Sequence, residues 1–283
     1  MDNDVLKLLE DRYQGFSKRQ KKIADYIRDN YDKAAFMTAG KLADEIGISE
    51  STVVRFAADL GFEGYPEMKR ALQNDVRSRL TSVQRIEAAR YLTDDRQILK
   101  RVTAADIDRI SAIVSANDND NFTRAVDEVI GAKNIYIIGL RTSISLATFF
   151  GYYLNLLREG VHTVRDTAAN QNFEQLIRLG EGDLLIAMSF PRYSRQTAEA
   201  MKYAKSVGAK TLAITNDENS PLCEYGDISL FAKSDMVSIL DSLAAPMSLI
   251  NALIVATAGR LQESALEMFN KLEGIWSELD VYE

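Results

Sequence analysis

The chain has 283 residues, of which 46% are hydrophobic and 27% charged, with a net charge of −7, one cysteine and one histidine. That length allows two domains of ordinary globular composition, while one cysteine excludes an internal disulfide and one cysteine plus one histidine argue against a structural zinc site. No run is long and apolar enough to span a bilayer, and the opening Met1–Asp2–Asn3–Asp4 lacks the basic and apolar regions of a signal peptide, so the expectation is a cytoplasmic protein without membrane partner, metal or cofactor.

In chain order, Asp4–Tyr13 is a short amphipathic segment with Val5, Leu8 and Leu9 apolar. Ser17 is placed to cap a helix running to about Asn30, with Ile23, Ala24 and Ile27 inward. Its first turn carries Lys18, Arg19, Lys21 and Lys22, an arrangement that opposes the helix dipole. A DNA phosphate would offset that cost; a simply solvated face is the alternative, and Lys18 and Arg19 are the candidate contacts. The total charge does not exclude DNA. Residues 1–80 hold 14 basic and 14 acidic residues, so the whole net charge lies beyond residue 80. Phosphate binding depends on local cations.

Thr38 is expected to cap a second helix with Leu42, Ala43 and Ile46 buried, and Lys41 in its first turn is a further DNA candidate. Gly47 permits the positive φ of a tight turn. Ser49 follows as an N-cap whose hydroxyl should accept from a backbone N–H. Val53, Phe56, Ala57 and Leu60 recur at helical spacing and should face inward, and Gly61 ends the helix. The other face shows Glu50, Ser51, Thr52 and Arg55. Helix, glycine turn and helix form the helix-turn-helix pattern, although any two amphipathic helices joined at a glycine share the spacing. As a groove-reading helix, this one would bring Ser51, Thr52 and Arg55 to base edges. Phe62 and Tyr65 should plug the small core, and Pro66 suits the start of a helix over Glu67–Leu80 with Met68, Leu72 and Val76 inward. Lys69, Arg70, Arg77 and Arg79 on its other side are weaker phosphate candidates.

The words themselves add a family. Leu42 to Leu72, LADEIGISESTVVRFAADLGFEGYPEMKRAL, resembles the DNA-binding domain of the RpiR/MurR family of bacterial transcription regulators. The Ser-x-x-Thr-Val-x-Arg-Phe helix and the Leu-Gly-Phe-x-Gly-Tyr link carry the likeness. It implies a sugar isomerase (SIS) domain downstream that senses a metabolite.

Residues 81–121 read as a linker with helical patterns at Val83–Tyr91 and Asp106–Ser115, ending in a loop at Asn117–Asn121. Residues 122–283 then alternate. Strands are expected at Asn134–Gly139, Val161–Val164, Leu184–Ser189, Thr211–Thr215 and Ile228–Ala232. Helices are expected at Ser145–Leu157, Thr167–Leu179, Thr197–Val207, Leu240–Gln262 and Ser264–Leu279. Continuous apolar strands between helices mean a parallel sheet covered on both faces. The expected fold is an all-α helix-turn-helix domain (1–80) followed by an α/β SIS-like domain with a five-stranded parallel sheet.

Polar residues gather beyond the carboxyl ends of the first, third and fourth strands, where such sheets bind ligands. Hydroxyls, helix-start N–H groups and arginines suit an anion, although Ser143, Thr197 and Ser220 could each be only a helix cap. The stretch Ile135–Arg260 resembles a SIS domain through the strand-one turn, the serine-ended third strand and AITNDENSPL (Ala213–Leu222). In that family such loops hold a sugar phosphate, which points to Ser143, Ser189, Ser194 and Thr197. Two departures stand out. The family's Gly-x-Gly-x-Ser turn has Arg141 at the second glycine. Its Ser-x-Ser-Gly-x-Thr loop is extended here by Pro191–Arg192–Tyr193, with Arg195 at the glycine. Arginine binds phosphate or carboxylate, so a phosphosugar, another sugar-derived compound or a carboxylate all fit. Arg141, Arg192 and Arg195 join the ligand candidates, with Arg192 alternatively directed at a partner subunit.

The reading that results is a regulator of operator DNA, homodimeric or homotetrameric, whose SIS domain responds to an anionic metabolite. A phosphosugar isomerase is the alternative. It requires a positioned base. His162 lies inside a strand, where packing is the expected role, and Glu174 has no evident partner.

Overall fold

The computed structural model describes residues 5–77, 95–164, 171–234 and 241–281, and these fall into two compact units, the first made of the residues up to Arg101 together with Asp241, the second of Val102–Ser234 and the residues from Ser242 on. The expected helix at Val83–Tyr91 and the position of Arg79 lie outside the described residues.

The first unit contains helices α1 (Val5–Arg12), α2 (Lys18–Asp29), α3 (Tyr31–Ala34), α4 (Ala39–Ile46), α5 (Glu50–Asp59) and α6 (Tyr65–Arg77). Its core gathers the periodic apolar residues: Val5, Leu9, Ile23, Ile27, Leu42, Val53, Phe56, Leu60, Phe62, Met68 and Leu72 are all buried. Phe16 meets the Phe56 ring edge-on at 5.3 Å between centroids. Tyr65 is buried with its hydroxyl donating to the Met37 carbonyl at 3.1 Å, and burial raises its pKa above the usual phenol value. Ser17 and Gln20 form a reciprocal capping box on α2, and Thr38 caps α4 by accepting from Lys41 N. Gly47, at φ 71°, makes the turn between α4 and α5 in a conformation that L side chains avoid.

The second unit departs from expectation at its start. The helix at Asp106–Ser115 is the latter part of a longer one, α7 (Asp95–Ala116), of which the residues from Val102 on belong to this unit. Of the expected loop Asn117–Asn121, only Asn117 and Asp118 lie outside a helix, and Asn119–Asn121 is the first turn of the next one. Asp118 accepts from Asn121 N and caps α8 (Asn119–Gly131), because short polar side chains that cannot be buried are the ones that satisfy first-turn N–H groups. At its other end, the Arg158 guanidinium donates to the carbonyls of Val129, Ile130, Ala132 and Lys133.

The sheet follows: β1 (Ile135–Gly139), α9 (Ile144–Leu157), β2 (Val161–Thr163), α10 (Gln171–Glu174), β3 (Leu184–Met188), α11 (Arg195–Ser206), β4 (Lys210–Thr215), β5 (Ile228–Phe231), α12 (Ala244–Arg260) and α13 (Gln262–Glu278). All pairings are parallel, in the order β2-β1-β3-β4-β5. Ile135, Ile137, Ile186, Met188, Leu212 and Ile214 pack into one layer with α8, α9 and α12. Tyr136, Ile138, Leu185, Ala187 and Ala213 pack into the other with Ala200, Met201 and Ala204 of α11. The expected helix Thr167–Leu179 starts outside the described residues, and its described helical part ends at Glu174. Likewise Leu240 lies outside, and α12 begins at Ala244. No single described helix is long and apolar enough to cross a membrane.

His162 corrects its expected role. Because β2 is an edge strand, the ring is exposed rather than packed inside, stacked on Tyr136 at 4.9 Å.

Candidate functional site

Helix α5 presents its polar side to solvent. Ser51, Val54, Arg55 and Ala58 are exposed and fall at positions i, i+3, i+4 and i+7, while Val53, Phe56 and Ala57 are buried behind them. The N-terminal end differs from expectation. Ser49 occupies the N-cap, but its hydroxyl makes no bond to the backbone. It bonds instead to Ser51 Oγ at 3.0 Å and Thr52 Oγ1 at 2.8 Å, a hydroxyl cluster that competes with capping. Thr52 is half-buried, on the flank of the exposed stripe rather than its centre. Arg55 Nε donates to Ser51 O at 3.2 Å, which holds the guanidinium along the helix surface. Arg12 donates to the Asp59 carbonyl and Gln20 Nε2 to Asp59 Oδ2 at 2.7 Å, so the start of α2 is fastened to the end of α5. Lys18 and Arg19 are exposed at that corner, and Lys41 is exposed on α4. Val54, 42% exposed, is the large apolar residue that polarity alone did not single out.

The second candidate site is the rim where the strand order reverses between β1 and β3. Gly139 pairs with Met188, and Met188 with Ile214, so the loops leaving β1, β3 and β4 emerge side by side. Gly139 is required there: a Cβ would stand 2.5 Å from the Ser143 carbonyl oxygen. After it, Arg141 opens a 3-10 turn to Ser143 with φ 58°, a left-handed conformation that glycine adopts more readily. Arg141 is exposed and Ser143 buried, and the Ser143 hydroxyl makes no capping bond to α9.

In the β3 loop, Ser189 Oγ accepts from Ser194 N at 2.9 Å. Ser194, not Thr197, caps α11, accepting from Thr197 N at 3.4 Å. Each of these serines uses a lone pair on backbone and retains its hydroxyl hydrogen to donate. Thr197, in the first turn of α11, is 0% exposed, and its Oγ1 has no hydrogen-bond partner. Arg192 and Arg195 are exposed. The β4 loop props this arrangement: Thr215 Oγ1 lies 2.7 Å from both the Ser189 carbonyl and Ser220 Oγ, and Ser234 N donates to Asn216 Oδ1 at 2.8 Å. So Ser220 is a link in a buried network, not a helix cap. Ser234, likewise buried with an unpartnered hydroxyl, carried no signal in the sequence. The rim can donate several hydrogen bonds to one anion, with arginines from two loops around it.

His162 and Glu174 lie elsewhere. Both line a cleft of about 760 Å³ along the β2 edge with Lys133, Asn134 and Arg178, and no rim residue lines it.

Residues 3–79 match the helix-turn-helix domain of the rpiR family, and residues 128–256 match the SIS domain. The chain is 31% identical over 219 residues to the HTH-type transcriptional regulator YfhH of Escherichia coli, covering 75% of each. It is 25% identical over 227 residues to an HTH-type transcriptional regulator of Clostridium perfringens, covering 80% of each. Among solved structures, it resembles the sugar isomerase domain of an RpiR transcription factor from Sphaerobacter thermophilus, with 25% identity and a TM-score of 0.59, covering 62% of this chain and 98% of that one. It also resembles the Vibrio vulnificus NanR protein complexed with ManNAc-6P, with 22% identity and a TM-score of 0.58, covering 97% of this chain and 98% of that one. This chain therefore belongs to the RpiR family of HTH-type transcriptional regulators, in which a helix-turn-helix domain is joined to a SIS domain.

Proposed function

We propose that this regulator binds operator DNA through α5 and that an anionic, sugar-derived metabolite at the sheet rim modulates the binding. Ser51 and Arg55 address base edges, and Lys18, Arg19 and Lys41 address phosphates, in a cytoplasmic homodimer or homotetramer. An oligomer with two-fold symmetry would present two readers to a symmetric operator. The binding of metabolite and DNA is coupled reciprocally.

The observation that carries the ligand reading is Thr197. A fully buried hydroxyl without a partner costs about 1–3 kcal/mol, and a bound anion beside it would relieve that cost. Arg195, a cation in the first turn of α11, opposes the helix dipole in the same place. The ManNAc-6P in the NanR relative supports a phosphosugar. Arg141, where the family places glycine, argues for a ligand whose charge reaches further toward β1 than a single phosphate held by backbone.

The test is thermal unfolding of the full chain with a panel of phosphosugars and sugar acids. A ligand specific to the folded state raises the melting temperature. Thr197→Val should leave the ligand-free protein as stable or slightly more stable, because the replacement removes an unpartnered hydroxyl at constant shape, and should abolish the ligand's stabilisation. Normal ligand stabilisation of the variant would overturn the assignment. The isomerase alternative places its base at His162 or Glu174. Absence of phosphosugar turnover by the purified protein would remove it.

A further inference from the structure

We infer that α5 recognises a thymine through its 5-methyl group, with Val54 supported by Ala58 as the specificity-determining contact. The inference rests on the reading of α5 as the groove helix and adds the chemistry of one base that it selects.

The exposed stripe of α5 is not uniformly polar. Ser51 and Arg55 alternate with Val54 and Ala58 along it, and Val54 is 42% exposed. Local structure does not account for a valine there. A β-branched residue is a weaker helix former than the polar straight-chain residues that suit an exposed helix position. Nor does packing. Val53, the neighbouring valine, is fully buried in the core of this unit, whereas Val54 is neither a member of that core nor packed against it.

A protein partner fits this surface poorly. Protein interfaces form on contiguous apolar patches of some hundreds of Å², about the area of several large side chains. Here the apolar atoms are one valine and one alanine, bounded by a hydroxyl cluster at Ser49, Ser51 and Thr52 and by the Arg55 guanidinium. The DNA major groove offers the matching pattern. It is wide enough for a helix, and its base edges are polar except for one group, the thymine methyl. A stripe that alternates hydroxyl, methyl and guanidinium complements a base step in which a thymine lies beside a hydrogen-bonding edge. On this arrangement Arg55 takes the polar edge and Val54 covers the methyl. Ala58, one turn further along the same stripe, leaves room for the base to approach.

The experiment uses the full-length protein and duplexes selected from a random pool by binding to it. Each thymine of a selected site is replaced in turn by deoxyuridine, which pairs identically and lacks only the methyl. At one position per half-site the wild type should bind the uracil duplex about four-fold more weakly, the value of one buried methyl group. Val54→Ala should bind thymine and uracil duplexes equally at that position while keeping the preference that depends on Arg55. Folding does not confound the result, because the position is exposed and alanine is the better helix former. Equal wild-type binding to thymine and uracil at every position overturns the inference. So does a Val54→Ala variant that retains the full difference. If no sequence preference emerges from the pool, the groove-helix reading itself fails, a result distinct from either of these.

Discussion

The exposed stripe of α5 and the rim of the sheet hold their polar groups in opposite ways. On α5, Ser51 and Arg55 stand in solvent, and Val53, Phe56 and Ala57 behind them hold the helix in place. Display and support are separate residues. At the rim, Ser189, Thr197, Thr215 and Ser220 are themselves buried, and all but Thr197 are also structural, fixing one another and the backbone. A surface stripe is free to vary without consequence for folding. A buried hydroxyl network cannot change one member without leaving another unsatisfied.

That contrast has measurable edges. The largest effect should come from removing support in the reading unit. Phe56→Ala should cost about 3–5 kcal/mol, the usual price of emptying a buried aromatic site, and should abolish DNA binding by unfolding. Urea unfolding followed separately in the two units would show the loss confined to the first; equal loss in both would mean that the units fold as one. Next comes display. Arg55→Ala should lose about 1–3 kcal/mol of operator discrimination. Its stability should change by less than about 0.5 kcal/mol, since the side chain is exposed. Binding titrations on operator and scrambled duplexes check it, and equal loss on both would reduce Arg55 to a phosphate contact. The smallest shift is at the rim. Ser189→Ala removes the acceptor for Ser194 N and should cost about 1 kcal/mol of stability together with the metabolite response. Loss of response with unchanged stability would show that the hydroxyl has no structural share, and the contrast between the two sites would then collapse.

The same contrast explains what could be read from the residues. On α5 everything needed is local: the spacing of Val53, Phe56, Ala57 and Leu60 fixes the buried face, and the exposed face follows. Polarity alone passes over Val54, which only its position on the helix places beside Ser51 and Arg55. At the rim the loops were legible as strand ends, and the arginines at glycine positions were visible as departures. Their assembly was not. Thr215 reaches the Ser189 carbonyl across 26 residues, and only the register of β3 with β4 brings them together. The apolar run around His162 reads as a strand, but strand order decides whether a strand is central or at an edge, and that order depends on how the crossovers pack. The Asn and Asp run before Phe122 has a composition equally at home in a loop or at a helix start. Asp118 settles it through one hydrogen bond.

Gln20 gives the reading unit its mechanical character. One end of its amide accepts from Ser17 N, completing the cap of its own helix, and the other end donates to Asp59 at the close of α5. The helix start that carries Lys18 and Arg19 is thereby braced against the far end of the exposed α5 stripe. A duplex gripped by its backbone at that corner would find the stripe already indexed to it, at a set rotation and depth, so that the search for a base sequence becomes a slide along one groove rather than a tumble over the whole surface.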